Sequence, residues 1–67
     1  MNEKLKKLRE ERKLSLNELS LLLRIPKSTL ASYEAGTRVP RDAVKLQLSR
    51  FYGVGIEELF FDKGETL

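Results

Sequence analysis

Residues 14–40 read LSLNELSLLLRIPKSTLASYEAGTRVP, and this stretch decides the fold. Ser15 followed by Glu18 forms a capping box, in which the hydroxyl accepts from an orphan amide of the first turn and the carboxylate accepts from the cap's own amide. A helix therefore starts near Leu16. At Arg24-Ile25-Pro26 the apolar rhythm breaks, because proline disfavours helical geometry in the residue before it yet is tolerated where a helix begins. One helix stops there and a second runs from about Lys27 to Ala35, where Gly36 supplies the left-handed residue that commonly closes a helix. Two short helices joined by a tight turn and closed by glycine form a helix-turn-helix over residues 15–36.

On either side of the motif the same reasoning adds three more helices. Asn2 can cap a first helix reaching about Arg12, with Leu5, Leu8 and Arg12 on one side. The second helix turns Leu19 and Leu23 inward and the third turns Leu30 and Tyr33 inward, while Ile25 fills the turn between them. Beyond the loop Thr37–Arg41, a fourth helix from about Asp42 to Tyr52 carries Val44, Leu48, Phe51 and Tyr52 in one stripe, and Gly53 ends it. A last short helix runs from Ile56 to Phe60 or Phe61, and the polar residues 62–67 are expected to fray. No segment alternates as a strand would, so the expected fold is all-α, with five helices in a single domain over residues 1–67.

Composition narrows the function. A chain of 67 residues buries only about 60% of its unfolded surface, so its stability margin is thin. It has no cysteine and no histidine, which leaves helix packing and dimerisation in place of disulfide or zinc staples. No metal or other cofactor is expected. No apolar run approaches the roughly 20 residues of a membrane span, and the N-terminus MNEKLKKLREE is charged where a signal peptide would be apolar. The expectation is a cytoplasmic protein with no membrane contact. Residues 1–41 hold 10 Lys/Arg against 5 Asp/Glu, a net of +5, whereas residues 42–67 hold 3 against 5, a net of −2. The basic part contains the motif, as suits a phosphate-bearing partner. Catalysis lacks any basis: there is no histidine or cysteine nucleophile, Gly53-x-Gly55 lacks the rest of a nucleotide fingerprint, and Glu10-Glu11 and Glu57-Glu58 point to different helix faces.

An ordered set of residues carries a family resemblance: Leu5, Leu8, Arg9, Leu14, Ser15, Glu18, Leu19, Leu23, Ser28, Thr29, Glu34, Gly36, Arg38, Pro40, Gly53-Val54, Ile56 and Glu58-Leu59. The chain resembles, over nearly its whole length, the phage repressor and Cro-like helix-turn-helix proteins, the Xre class of bacterial regulators. The resemblance implies a five-helix, lambda-repressor-like DNA-binding domain whose third helix enters the major groove of double-stranded DNA. It also implies a homodimer, and an ion pair between Arg9 and Glu34 that locks the first helix to the third.

In the docking geometry of this motif, residues at the start and on the outward face of the second motif helix reach base edges. These are Lys27, Ser28, Thr29 and Ser32. Lys27 can donate to guanine, whereas the hydroxyls serve either base type. Phosphate contacts are expected from Thr37 and Arg38, from amides near Ser15, and from Arg24 and Arg41. The candidate dimer surface is Ile56, Leu59, Phe60 and Phe61, since two adjacent phenylalanines cannot both face one monomer's core; the alternative packs one inside and leaves the other on the surface.

The chain also departs from the family. Relatives often begin the second helix with a phosphate-binding glutamine, where this chain has Leu16. With Leu21 and Leu22, Leu16 either covers neighbouring apolar surface or forms a protein-binding patch. An anti-repressor or antitoxin-like interaction module is therefore the alternative function. Asp42 and Lys45 stand at commonly apolar positions, so either the fourth helix is rotated or these sites lie at the surface. With no second domain for a ligand or a protease-sensitive switch, control is expected from concentration, competition at the operator or a partner.

Overall fold

A computed structural model describes residues 2–60 of the chain. Among them are five helices: α1 (Glu3–Glu11), α2 (Leu16–Leu23), α3 (Lys27–Ala35), α4 (Asp42–Tyr52) and α5 (Ile56–Phe60). Local chemistry marks several of their ends. The Asn2 side chain accepts from the Leu5 amide to cap α1, and the Ser15–Glu18 capping box starts α2. Gly36 and Gly53 close α3 and α4 at φ 82° and 67°, in the left-handed region. α3 starts at Pro26 with no side-chain cap, an arrangement proline permits because its fixed φ suits a helix entry and it has no amide to satisfy.

The core gathers one stripe from every helix: Leu5 from α1, Leu19 and Leu23 from α2, Leu30 and Tyr33 from α3, Leu48 and Tyr52 from α4, and Leu59 from α5, with Ile25 in the turn. Leu8, Leu14, Leu16, Val44, Phe51, Val54 and Phe60 pack around it, half-buried. α3 lies against both α1 and α2, and α5 lies against α4. Of the two positions expected to be unusual, Asp42 is exposed, while Lys45 is half-buried with its ammonium 5.6 Å from the centre of the Phe60 ring. Val44, Leu48, Phe51 and Tyr52 of α4 face the core.

Polar ties bind the helices where the core is thin. Arg12 donates from Nη1 to the Phe51 carbonyl at 2.9 Å and from Nη2 to the Tyr52 carbonyl at 3.0 Å. Its guanidinium also lies 5.2 Å and 5.3 Å from the centres of their rings. A cation therefore sits on the orphan carbonyls at the negative end of α4, where the helix dipole favours it. The Asn2 amide donates to the Leu59 carbonyl at 2.7 Å and the Lys4 ammonium to the Glu58 carbonyl at 2.7 Å, so the chain start holds α5. Gln47 reaches the Leu23 carbonyl at 2.9 Å and ties α4 to the end of α2. Arg12→Ala should cost about 1 kcal/mol in a urea titration, the worth of charge-assisted bonds at a solvent-facing site. A variant as stable as the parent would show the tie to be ornamental.

Candidate nucleic-acid interface

The motif is held by its own backbone. The Ser15 amide donates to Glu18 Oε1 at 2.8 Å and the Glu18 amide to Ser15 Oγ at 3.0 Å. The Ser15 amide is thus already occupied by a carboxylate, and the first-turn amides left for an anion are those of Leu16 and Asn17. Between the two helices, Arg24 adopts the left-handed conformation at φ 58°, as does Lys13 ahead of α2; such backbone costs a non-glycine residue roughly 1–2 kcal/mol. The turn is secured by the Ser20 hydroxyl donating to the Ile25 carbonyl at 2.6 Å. Burial of Ile25 then fixes the angle at which α3 leaves.

Helix α3 buries Leu30 and Tyr33 and so turns Lys27, Ser28, Ala31, Ser32 and Ala35 outward. Lys27 and Ser28 are exposed, Ser32 is half-buried, and Thr29 is half-buried on the flank. The Ser32 hydroxyl donates to the Ser28 carbonyl at 3.0 Å, which leaves its lone pairs as the outward chemistry. Just past the helix, the Thr37 hydroxyl donates to the Ser32 carbonyl at 3.3 Å and the Thr37 amide to the same oxygen at 3.0 Å. Thr37 can donate to a phosphate only by giving up its hydroxyl bond. Arg24, Arg38 and Arg41 are exposed.

Arg9 joins three elements. Its Nε donates to Glu34 Oε2 at 2.8 Å, its Nη2 to Glu34 Oε1 at 3.1 Å, and its Nη1 to the Leu14 carbonyl at 2.8 Å. The side chains are only 12% and 9% exposed, so this is a bidentate, largely desolvated pair. The hydrogen bond to Glu34 holds the guanidinium pKa above its ordinary value against the opposing effect of burial. α1, the entry to α2 and the last turn of α3 thereby move as one body. The groove between α1 and α3 has a volume of about 600 Å³, with Lys6, Lys7 and Arg9 set against Glu3, Glu10 and Glu34. Three charges of each sign leave this groove without a net charge.

Of the residues expected at an interaction surface, Leu59 is placed differently. Leu59 is 3% exposed and belongs to the core, because α5 turns it onto α4, so it cannot form part of a dimer surface. Ile56 and Phe60 are half-buried, and Phe61 lies outside the described residues. Leu16 packs against the core and separates from Leu21 and Leu22, which are 73% and 59% exposed. Half-buried Leu16 covers neighbouring apolar surface, and the pair left open to solvent is Leu21 and Leu22.

The Helix-turn-helix family matches residues 5–59, which reach into all five helices. The chain belongs to this family. It is a helix-turn-helix protein of the phage repressor and Cro-like kind, a class of DNA-binding transcriptional regulators and not of enzymes. It is 39% identical over 59 residues to a cryptic phage CTXphi transcriptional repressor, RstR, of Vibrio cholerae, covering 88% of this chain and 53% of that relative. The helix-turn-helix chain thus spans about half the length of the curated relative it matches. No solved structure gives a significant match.

Proposed function

We propose that this helix-turn-helix protein is a sequence-specific repressor that binds an inverted-repeat operator in double-stranded DNA as a homodimer, acting in the cytoplasm on the nucleoid. The observation that carries the reading is the outward face of α3, a row of small polar side chains and one lysine held rigid by the Arg9–Glu34 pair. The named role of the Vibrio cholerae relative, a transcriptional repressor, supports repression. No described helix is long and apolar enough to cross a membrane.

Lys27 donates to guanine, and Ser28 and Thr29 flank it. Ser32, whose proton is engaged within the helix, accepts from the exocyclic amine of adenine or cytosine. Arg24, Arg38 and Arg41, with Thr37 and the amides following Ser15, meet phosphates and set register. Ile56 and Phe60, with Phe61 outside the described residues, are the proposed surface through which two chains pair. A second reading, a protein-interaction module, rests on the exposed pair Leu21 and Leu22.

Selection of bound duplexes from a random library at physiological salt tests the reading. The expected product is an inverted repeat with half-sites about 10 base pairs apart, centre to centre. Ser32→Ala should alter the selected half-site, whereas Arg38→Ala should weaken all sites alike and reduce the salt slope by about 1. Weak, salt-sensitive binding without enrichment would favour the partner-protein reading.

A further inference from the structure

Tyr52 lies on the core side of α4 and is only 4% exposed. Its hydroxyl oxygen is enclosed and has no hydrogen-bond partner among the described residues. Protein interiors rarely tolerate such a group, because the hydroxyl has left water and received nothing in exchange. Tyr52 also lines a cavity of about 10 Å³, together with four leucines, Tyr33 and one charged residue, Glu34. A space of this size is about that of one water molecule, and a water is retained only where it finds at least two polar partners.

Here the two partners have complementary roles. The Glu34 carboxylate accepts one Arg9 bond on each oxygen, and each oxygen keeps a further lone pair. A carboxylate can only accept, so a water beside it must donate to it. That water's own lone pairs are then free for a donor, and the Tyr52 hydroxyl is one. Burial, reinforced by the negative charge of Glu34, pushes the phenol up to about 12, so it keeps its proton at any physiological pH.

We propose that this cavity is a binding site for a single water molecule, which accepts a hydrogen bond from the Tyr52 hydroxyl and donates one to the Glu34 carboxylate. The water extends the Arg9–Glu34 pair into the core and ties α4 to the last turn of α3. Tyr52 is on this account a positioning residue, acting on the recognition helix through Glu34. The proposal is independent of which DNA sequence, if any, the protein reads.

The test is water-to-protein magnetisation transfer in the isotopically labelled full chain, with Tyr52→Phe as the comparison. A long-lived water should give cross-peaks to the Tyr52 ring and to protons of Leu30 and Glu34, and Tyr52→Phe should abolish them. The same variant should melt lower by roughly 5 °C, the equivalent of one hydrogen bond in a domain of this size. Wild-type protein without those cross-peaks overturns the proposal, whatever the variant's stability. So does a Tyr52→Phe variant that melts at or above the parent, because a dry cavity means that the substitution merely removes an unsatisfied hydroxyl.

Discussion

Glu34→Ala should lower the melting temperature by roughly 10–20 °C and leave the helix-turn-helix too loosely held to bind DNA near its parental affinity. Removing one member of a buried pair strands the other, at a cost of about 3–5 kcal/mol where burial is complete. The pair here retains slight exposure, 12% and 9%, so about 2–3 kcal/mol is the expected loss, at roughly 4–8 °C per kcal/mol for a domain of this length. Arg9 would keep its bond to the Leu14 carbonyl but would hold an uncompensated charge against α3. Replacing both partners together, Arg9→Met with Glu34→Leu, should recover much of the stability, since well-packed apolar residues often substitute for a buried ion pair without loss. The recovered protein should still bind DNA poorly, because a bidentate fork fixes the angle of α3 and two alkyl chains do not. Differential scanning calorimetry and duplex anisotropy would show this together. Single variants that melt with the parent would mean that core packing alone orients the recognition helix.

What the sequence reveals, and what it hides, follows from the range of the forces involved. The capping box at Ser15, the break at Pro26 and the closing glycines act within one turn of chain. Reading them in order therefore places all five helices, with the end of α1 within one residue of its observed position at Glu11. The outward face of α3 follows from the burial of Leu30 and Tyr33. Long-range polar ties are another matter. Nothing near Arg12 announces that its guanidinium caps α4, some 40 residues away along the chain, and Asn2 reads as a cap without revealing its second bond to Leu59. The burial of Leu59 escapes the sequence for a related reason. In a five-residue helix every apolar side chain lies close to every face, so periodicity alone cannot decide which one is buried. Ile56, Leu59 and Phe60 are told apart only by how α5 sits on α4. The hydroxyl of Tyr52 shows the same limit, since a tyrosine in an apolar stripe reads as a core aromatic until the cavity beside it is known.

Leu48→Ala should cost the helix-turn-helix domain more than any surface change, about 3–5 kcal/mol, while touching no residue proposed to meet DNA. Leu48 is 1% exposed at the centre of α4's inner face, and with Leu19 it is among the most completely enclosed side chains. Truncating such a leucine forfeits its transfer free energy and leaves a void that the surrounding helices close only in part. A domain of this length has a stability of roughly 3–10 kcal/mol by the usual per-residue range, so the loss is comparable to the whole margin. At 37 °C the variant should be substantially unfolded in a urea titration extrapolated to water. On the proposed function DNA binds only the folded form, so saturating duplex should raise its melting temperature by mass action. Measured at 10 °C and corrected for the folded fraction, its affinity for DNA should return to near the parental value. A Lys27→Ala variant should behave in the opposite way, melting like the parent yet binding weakly at every temperature. If Leu48→Ala stays folded but reads a different sequence, α4 packing must reach the recognition face, and the separation of scaffold from reader would not hold.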